Sequence, residues 1–193
     1  MTRTLWGVLF AVLVAVALFN ATVASGGSSE RPQPSRSDRV VKSEAEWKAE
    51  LTSQEFEVLR EQGTERAYTG EYHDDHVPGV YTCAACGLPL FSSDATFDRG
   101  TGWPSYSLRV ASDRVDEIKD VTYGMIRTEV TCARCGGHLG HVFDDGPAPT
   151  RQRYCINSVS LDKVDKTEAQ TLEAALANPD GRKKKKKKKR RNK

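Results

Sequence analysis

No apolar run in this 193-residue chain outlasts the fifteen residues from Leu5 to Phe19, and a helix that spans a bilayer needs about 20. The shortage argues against a membrane-spanning protein. A basic start at Arg3 and the small residues Ala21 to Ser25 make residues 1–25 read as a secretory signal, with an uncleaved anchor as the alternative. Asn20-Ala21-Thr22 has the glycosylation pattern but falls where that signal is removed. Long helical periodicity is missing after Tyr81, which excludes a helical bundle, and no internal repeat exists beyond two cysteine pairs. A βαβ pattern is also missing, which argues against a thioredoxin-like setting for those pairs. Cysteine itself is scarce and odd in number: with five in the chain, pairing leaves one thiol over.

Charge is unevenly spread. Arg182 to Lys193 holds eleven of the 29 basic residues, and without them 18 Lys and Arg face 26 Asp and Glu, a net charge of −8. The body is therefore acidic, and the end is a solvated polycation expected to be disordered by self-repulsion, able to contact polyanions. Residues 26–42, polar and rich in Gly, Ser and Pro at their start, have little to bury and read as a flexible linker. That leaves 43–164 as one folded domain and 165–193 as a C-terminal helix or linker with the polybasic tail. A secretory signal argues against a nuclear address and for the secretory route, the endoplasmic reticulum lumen or the exterior.

Inside the domain, Ser43 and Glu46, then Thr52 and Glu55, have the form of two capping boxes, so two short helices should start there, the second closed by Gly63. Trp47 and Leu51 form the buried stripe of the first helix, Phe56 and Leu59 that of the second. From Tyr81 the texture turns to short Val-, Thr-, Tyr-, Phe- and Ile-rich segments broken by Gly, Pro and Asp, the signature of a mainly β domain. The expected strands are Gly79 to Cys83, Ser107 to Ala111, Val121 to Cys132, His138 to Val142 and Arg153 to Leu161. Lys166 to Leu176 reads as a short amphipathic helix.

Cys83/Cys86 and Cys132/Cys135 share the knuckle Cys-x-x-Cys-Gly, in which the glycine lets backbone N–H groups turn toward sulfur. Four thiolates on two knuckles suit a closed, structural Zn2+ site. The 45 residues between the knuckles would loop out as a β segment, and the metal would staple distant parts of the sheet. Two disulfides are the rival, permitted in a secretory compartment.

Cys155 remains. A lone cysteine is usually a small buried hydrophobe, but its neighbours favour chemistry. Arg153 and Asn157, two residues to either side, share its strand face. The guanidinium can lower a thiol pKa that is ordinarily about 8.5, and the amide can bond a ligand oxygen. His138 and His141 sit in what reads as a glycine-containing turn and can hand over protons near neutral pH. Gly100 to Ser105 reads as a rigid loop presenting Trp103, either as core or as a wall for a methyl group or polarised sulfur.

Gly102-Trp103-Pro104-Ser105, Cys132-x-x-Cys135, His138-Leu139-Gly140-His141-Val142-Phe143, Asp145-Gly146-Pro147 and Arg153-Tyr154-Cys155-Ile156-Asn157-Ser158 follow in this order. Together they resemble the methionine-R-sulfoxide reductase (MsrB) family from about Ser43 to Lys163, with Trp47 and Tyr68-Thr69-Gly70 included. The resemblance implies two antiparallel sheets with short N-terminal helices, one structural zinc on both knuckles, and a monomer. It also implies reduction of the R epimer of methionine sulfoxide, mainly in oxidised proteins and less in the free amino acid, as repair under oxidative stress. By the resemblance Cys155 is the nucleophile and Trp103 the wall for the substrate methyl. His138, His141 and Asn157 surround the sulfoxide oxygen, and Arg153, held by Asp144 or Asp145, favours the thiolate.

The chain departs from the family at Thr101, where many members carry a resolving cysteine, and at Arg99, where serine is common. With four cysteines on zinc, a sulfenic acid on Cys155 has no internal partner and needs thioredoxin, glutaredoxin with glutathione, or another external thiol. A zinc-dependent binding module using the basic tail, and a disulfide-stapled secreted domain, are the competing readings.

Overall fold

A computed structural model describes residues 36–177 of the chain. The expected signal over 1–25, much of the linker and the polybasic run from Arg182 lie outside the described residues. Among those described, no helix is long and apolar enough to cross a membrane.

Both capping boxes form. Helix α1 (Glu44–Glu50) starts where the Ser43 hydroxyl accepts from the Glu46 N–H and the Glu46 carboxylate accepts from the Ser43 N–H. Helix α2 (Ser53–Glu61) repeats the arrangement with Thr52 and Glu55, each reciprocal pair satisfying two orphan donors. The residue that closes α2 in the left-handed conformation is Gln62 (φ 61°), not Gly63. Its side-chain amide, 3.1 and 3.0 Å from the two Glu129 oxygens, anchors it there, and the expectation that Gly63 would serve is corrected.

Residues 36–42, expected to belong to the flexible linker, are tied to the second knuckle. The Arg36 and Val40 N–H groups donate to the Ala133 and Arg134 carbonyls, and Asp38 is paired with Arg36 and Arg134. Glycine and proline thin out before this stretch, and its charges find partners.

Eight strands make two antiparallel sheets. The smaller has the order β2 (Pro89–Ser92), β1 (Val80–Cys83), β8 (Leu161–Val164). The larger has the order β3 (Ser105–Tyr106), β7 (Arg153–Ile156), β6 (His138–Phe143), β5 (Arg127–Cys132), β4 (Val115–Asp120). Helix α3 (Lys166–Ala177) follows. Three expected strands need correction. The stretch Ser107 to Ala111 makes only a single bridge, between Arg109 and Phe91. Val121 to Cys132 is broken by a turn over Thr122–Gly124 and pairs with β4, which was not foreseen. Arg153 to Leu161 splits at Asn157, and a 3-10 turn, Ser158–Ser160, carries the chain from the larger sheet to the smaller.

The core lies between the sheets and under the helices. Phe91 of the smaller sheet stacks on Tyr106 of the larger, with centroids 4.5 Å apart, and Tyr81 tilts against the same ring at 5.1 Å. These rings are fully buried, each contributing roughly 1.5–3 kcal/mol by area removed from water. Trp47, Phe56 and Leu59 of the helices close one side of the cluster, as their spacing implies.

Candidate active site and metal site

The two knuckles meet. All four cysteine sulfur atoms lie within 4.8 Å of one another, with Cys83 and Cys135 3.7 Å apart and Cys86 and Cys132 3.6 Å apart. A disulfide requires about 2.05 Å, so the four are free thiols. A tetrahedron with metal–sulfur bonds of about 2.3 Å has edges of about 3.8 Å, close to both cross-knuckle spacings. The knuckle glycines, Gly87 and Gly136, adopt left-handed φ of 71° and 69° and donate to the Cys83 and Cys132 carbonyls. Hydrogen bonds from Cys132, then Cys83 and Cys86, hold the Cys135 thiol well below its ordinary range. Neighbouring thiols and burial push Cys83 and Cys132 the other way, above the ordinary range, so it is the spacing of four sulfur atoms in one buried cluster that suits a metal ion.

Cys155 stands apart from this cluster, in the middle of β7. The register sets Ser105 opposite it on one side and His141 on the other. Two antiparallel ladders thus place the tryptophan loop, the lone thiol and an imidazole side by side, which the linear sequence conceals. The close fit depends on Gly140: a Cβ there would come within 2.1 Å of the Cys155 carbonyl oxygen. A cavity of about 150 Å³ opens beside Cys155, with Trp103, Arg127, His141, Phe143 and Asn157 among its walls.

The tryptophan loop is fastened from outside the sheets. Gly102 (φ 84°) passes so near Tyr68 that a Cβ would meet its ring at 2.7 Å, and the Gly102 carbonyl accepts from the Tyr68 N–H. The Trp103 indole N–H donates to the Glu65 carbonyl at 3.1 Å. Glu65, buried, accepts with its carboxylate from the Ser158 and Val159 N–H groups at 2.6 and 2.9 Å, and its own N–H donates to the Asn157 side-chain oxygen. The Asn157 amide nitrogen donates to the Leu139 carbonyl. Both ends of the Asn157 amide are thus engaged by the scaffold: it lines the cavity while holding Glu65, and through it Trp103.

Arg153 is held by Asp145, not Asp144, in a two-pronged pair at 2.7 and 3.1 Å, and lies over the Phe143 ring. Arg99 adds a longer contact to Asp145 at 3.5 Å. Burial pushes the Cys155 thiol up, while the Arg153 cation and the Thr101 hydroxyl pull it back. Arg153 thus pulls the thiol in the expected direction, but desolvation outweighs it.

His138 and His141 are not in a turn: both lie on β6. His141 lines the cavity, and its Nε2 is 2.9 Å from Asp120, which also accepts from Arg127 at 2.6 Å. The Thr122 hydroxyl and N–H likewise hold the Asp120 carboxyl well below its usual range. Burial pushes His141 below the ordinary histidine value against the pull of Asp120, so it is neutral near pH 7. Nε2 carries the proton and Nδ1 is the ring nitrogen without a protein partner among the described residues. His138 is only 2% exposed, its Nδ1 2.7 Å from Glu129 and its ring 5.5 Å from that of His141. It packs against His141 and does not itself line the cavity.

Sequence reasoning missed Glu65, Asp120, Arg127 and Glu129. Their only signal was charge, which on a β hairpin or a loop reads as a solvated face.

Comparison with known proteins agrees with this geometry. The SelR domain pattern matches residues 51–165. A peptide methionine sulfoxide reductase MsrB of Thiobacillus denitrificans is 61% identical over 120 residues, covering 62% of this chain and 91% of that protein. The MsrB of Bradyrhizobium diazoefficiens is 58% identical over 124 residues, 64% of this chain and 89% of its own length. That of Methanosarcina barkeri is 59% identical over 131 residues, covering 68% and 92%. With the pattern spanning both knuckles, Trp103, His141 and Cys155, the chain belongs to the SelR-domain (MsrB) family.

Proposed function

We propose that this enzyme, a peptide methionine sulfoxide reductase, reduces the R epimer of methionine sulfoxide to methionine with Cys155 as nucleophile. The observation that carries the reading is a single unpaired thiol in a cavity between an indole and a neutral imidazole. The names of the curated relatives supply the substrate class, and one reductase serves each sulfoxide epimer.

The steps follow from the groups present. The substrate methyl packs on Trp103, and the Cys155 sulfur attacks the sulfoxide sulfur, forming a sulfur–sulfur bond. The thiol proton passes through His141 Nδ1 to the sulfoxide oxygen, which cannot leave as an oxide. The protonated oxygen then passes to Cys155. The substrate S–O bond and the transient sulfur–sulfur bond both break as the Cys155 S–O bond forms, and the electron pair of the sulfur–sulfur bond ends on the released thioether. Arg153 stabilises negative charge on sulfur during the attack. Cys155 then carries a sulfenic acid, and two external thiols return it to the thiol with release of one water and one disulfide. Thioredoxin, or glutaredoxin with glutathione, is the reductant class this requires, since residue 101 is threonine and the other four cysteines are clustered.

The four-sulfur set supports zinc as the metal, held by Cys83, Cys86, Cys132 and Cys135, where it supplies cross-linking and no chemistry. The pattern of residues 1–25 supports work along the secretory route. With dithiothreitol as reductant, the protein should consume the R epimer of dabsylated methionine sulfoxide and leave the S epimer. Consumption of the S epimer alone would overturn the reading.

A further inference from the structure

The β4–β5 hairpin ends in Val121-Thr122-Tyr123-Gly124-Met125-Ile126, and four of these six side chains are large, apolar and in solvent. Val121 is 62% exposed, Tyr123 92%, Met125 44% and Ile126 81%. Single exposed apolar residues are ordinary, whereas a contiguous group on one turn marks a contact surface. The turn is braced: Asp120 accepts from the Thr122 N–H and hydroxyl at 2.9 and 2.7 Å, and Arg127 closes the base against Asp120. Tyr123 sits at φ 54°, a left-handed conformation uncommon for a bulky residue.

The base of this hairpin is also a wall of the catalytic cavity. Arg127 lines it, and Asp120 holds His141. The apolar tip is therefore joined to the reaction site through the hairpin root, where Arg127 lines the cavity and Asp120 holds a histidine that does.

We infer that the tip is the docking lip for the polypeptide on either side of the oxidised methionine, an extended segment whose neighbouring side chains are apolar. The inference rests on the reductase reading above. Methionine is an apolar residue of cores, and its oxidation disrupts the packing around it. A segment that presents the sulfoxide therefore tends to present apolar neighbours too. A cavity of about 150 Å³ holds one side chain; the rest of a polypeptide must leave across the rim, where an apolar lip repays contact. A single amino acid gains little from it.

The test compares two substrates in the full chain with dithiothreitol as reductant: methionine-oxidised, unfolded casein and N-acetylmethionine R-sulfoxide. In a variant carrying Val121→Ser, Tyr123→Ser and Ile126→Ser, KM for the casein should rise at least tenfold with kcat unchanged. Turnover of the small substrate should stay within twofold. Tyr123→Ser alone, at the most exposed position, should raise the casein KM about threefold without risk to the fold, and Tyr123→Phe should restore it. An unchanged casein KM overturns the inference, as does equal loss on both substrates, since the tip would then merely support the cavity. Binding of the wild type to phosphatidylcholine vesicles that the triple variant loses, with casein kinetics unchanged, would assign the tip to lipid and overturn it. A shift confined to the KM for thioredoxin would overturn it likewise. Failure of the wild type on both substrates would instead remove the reductase reading, and the lip's occupant with it.

Discussion

Replacing Cys155 by serine is expected to lower turnover of methionine-R-sulfoxide by about a thousand-fold or more, leaving fold and metal content as they are. In the proposed reaction the sulfur is the atom that accepts oxygen and is oxidised, and a serine hydroxyl can do neither step at neutral pH. The substitution removes little packing: Cys155 is only partly buried, its strand is held by ladders to Ser105 and His141 on either side, and the candidate metal site is made of four other residues. The kinetic effect should thus stand alone. Turnover with dithiothreitol, zinc content and thermal midpoint of the variant check it together. Activity within tenfold of wild type would mean that another thiol does the chemistry.

The second large effect concerns the knuckles. Cys132→Ser is expected to lower the thermal midpoint by about 10–20 °C, the shift that a loss of roughly 5 kcal/mol produces in a protein of this size. A structural zinc site contributes about 10–16 kcal/mol in small zinc-finger peptides, more than many domains have in total. Here the cluster joins Cys83, at the end of β1 in the smaller sheet, to Cys132, at the end of β5 in the larger. Losing a ligand should therefore loosen the contact between sheets as well as one loop. The Arg60 and Arg134 guanidiniums donate to the Cys135 and Cys86 carbonyls, so the knuckles also hold α2 and residues 36–42. Differential scanning fluorimetry with and without a chelator measures the effect. A metal-free protein with an unchanged midpoint would show that the sulfurs merely pack.

The features legible in the sequence were those whose physics is local or whose residue type is rare. A capping box is a four-residue contract between a hydroxyl and a carboxylate, and both formed as written. Paired cysteines with following glycines state a metal knuckle almost without context, and a fifth cysteine between Arg153 and Asn157 stands out for the same reason. What stayed hidden depends on partners far away in the chain. Gln62 closes α2 because Glu129 holds its amide, a contact no local pattern contains. The tip from Val121 to Ile126 has the β-branched and aromatic residues of a strand, so it read as one, yet the chain turns at Tyr123 and Gly124 and leaves those side chains in solvent. Asn157 ends β7 because Glu65 takes the next N–H groups out of the ladder. The stretch His138 to Val142 read as a strand and forms one; only the reading of the two histidines as part of a glycine-containing turn failed, since Gly140 is there so that β6 can lie against Cys155.

These partners also change how the site works. Sequence neighbours suggest that Arg153 activates the thiol by charge. In the folded protein burial pushes the Cys155 thiol up and the His141 imidazole down. The proposed reaction therefore takes the proton for the sulfoxide oxygen from Cys155, with the His141 nitrogen that Asp120 leaves open as its carrier.

The most direct measurement is a single turnover without reductant. Incubating the protein with excess methionine-R-sulfoxide and the sulfenic acid trap dimedone, followed by peptide mass spectrometry, should yield one methionine released per chain and one dimedone adduct on Cys155. All four knuckle cysteines should remain unmodified. A disulfide between Cys155 and any knuckle cysteine, or release of methionine with Cys155 unmodified, would contradict the account.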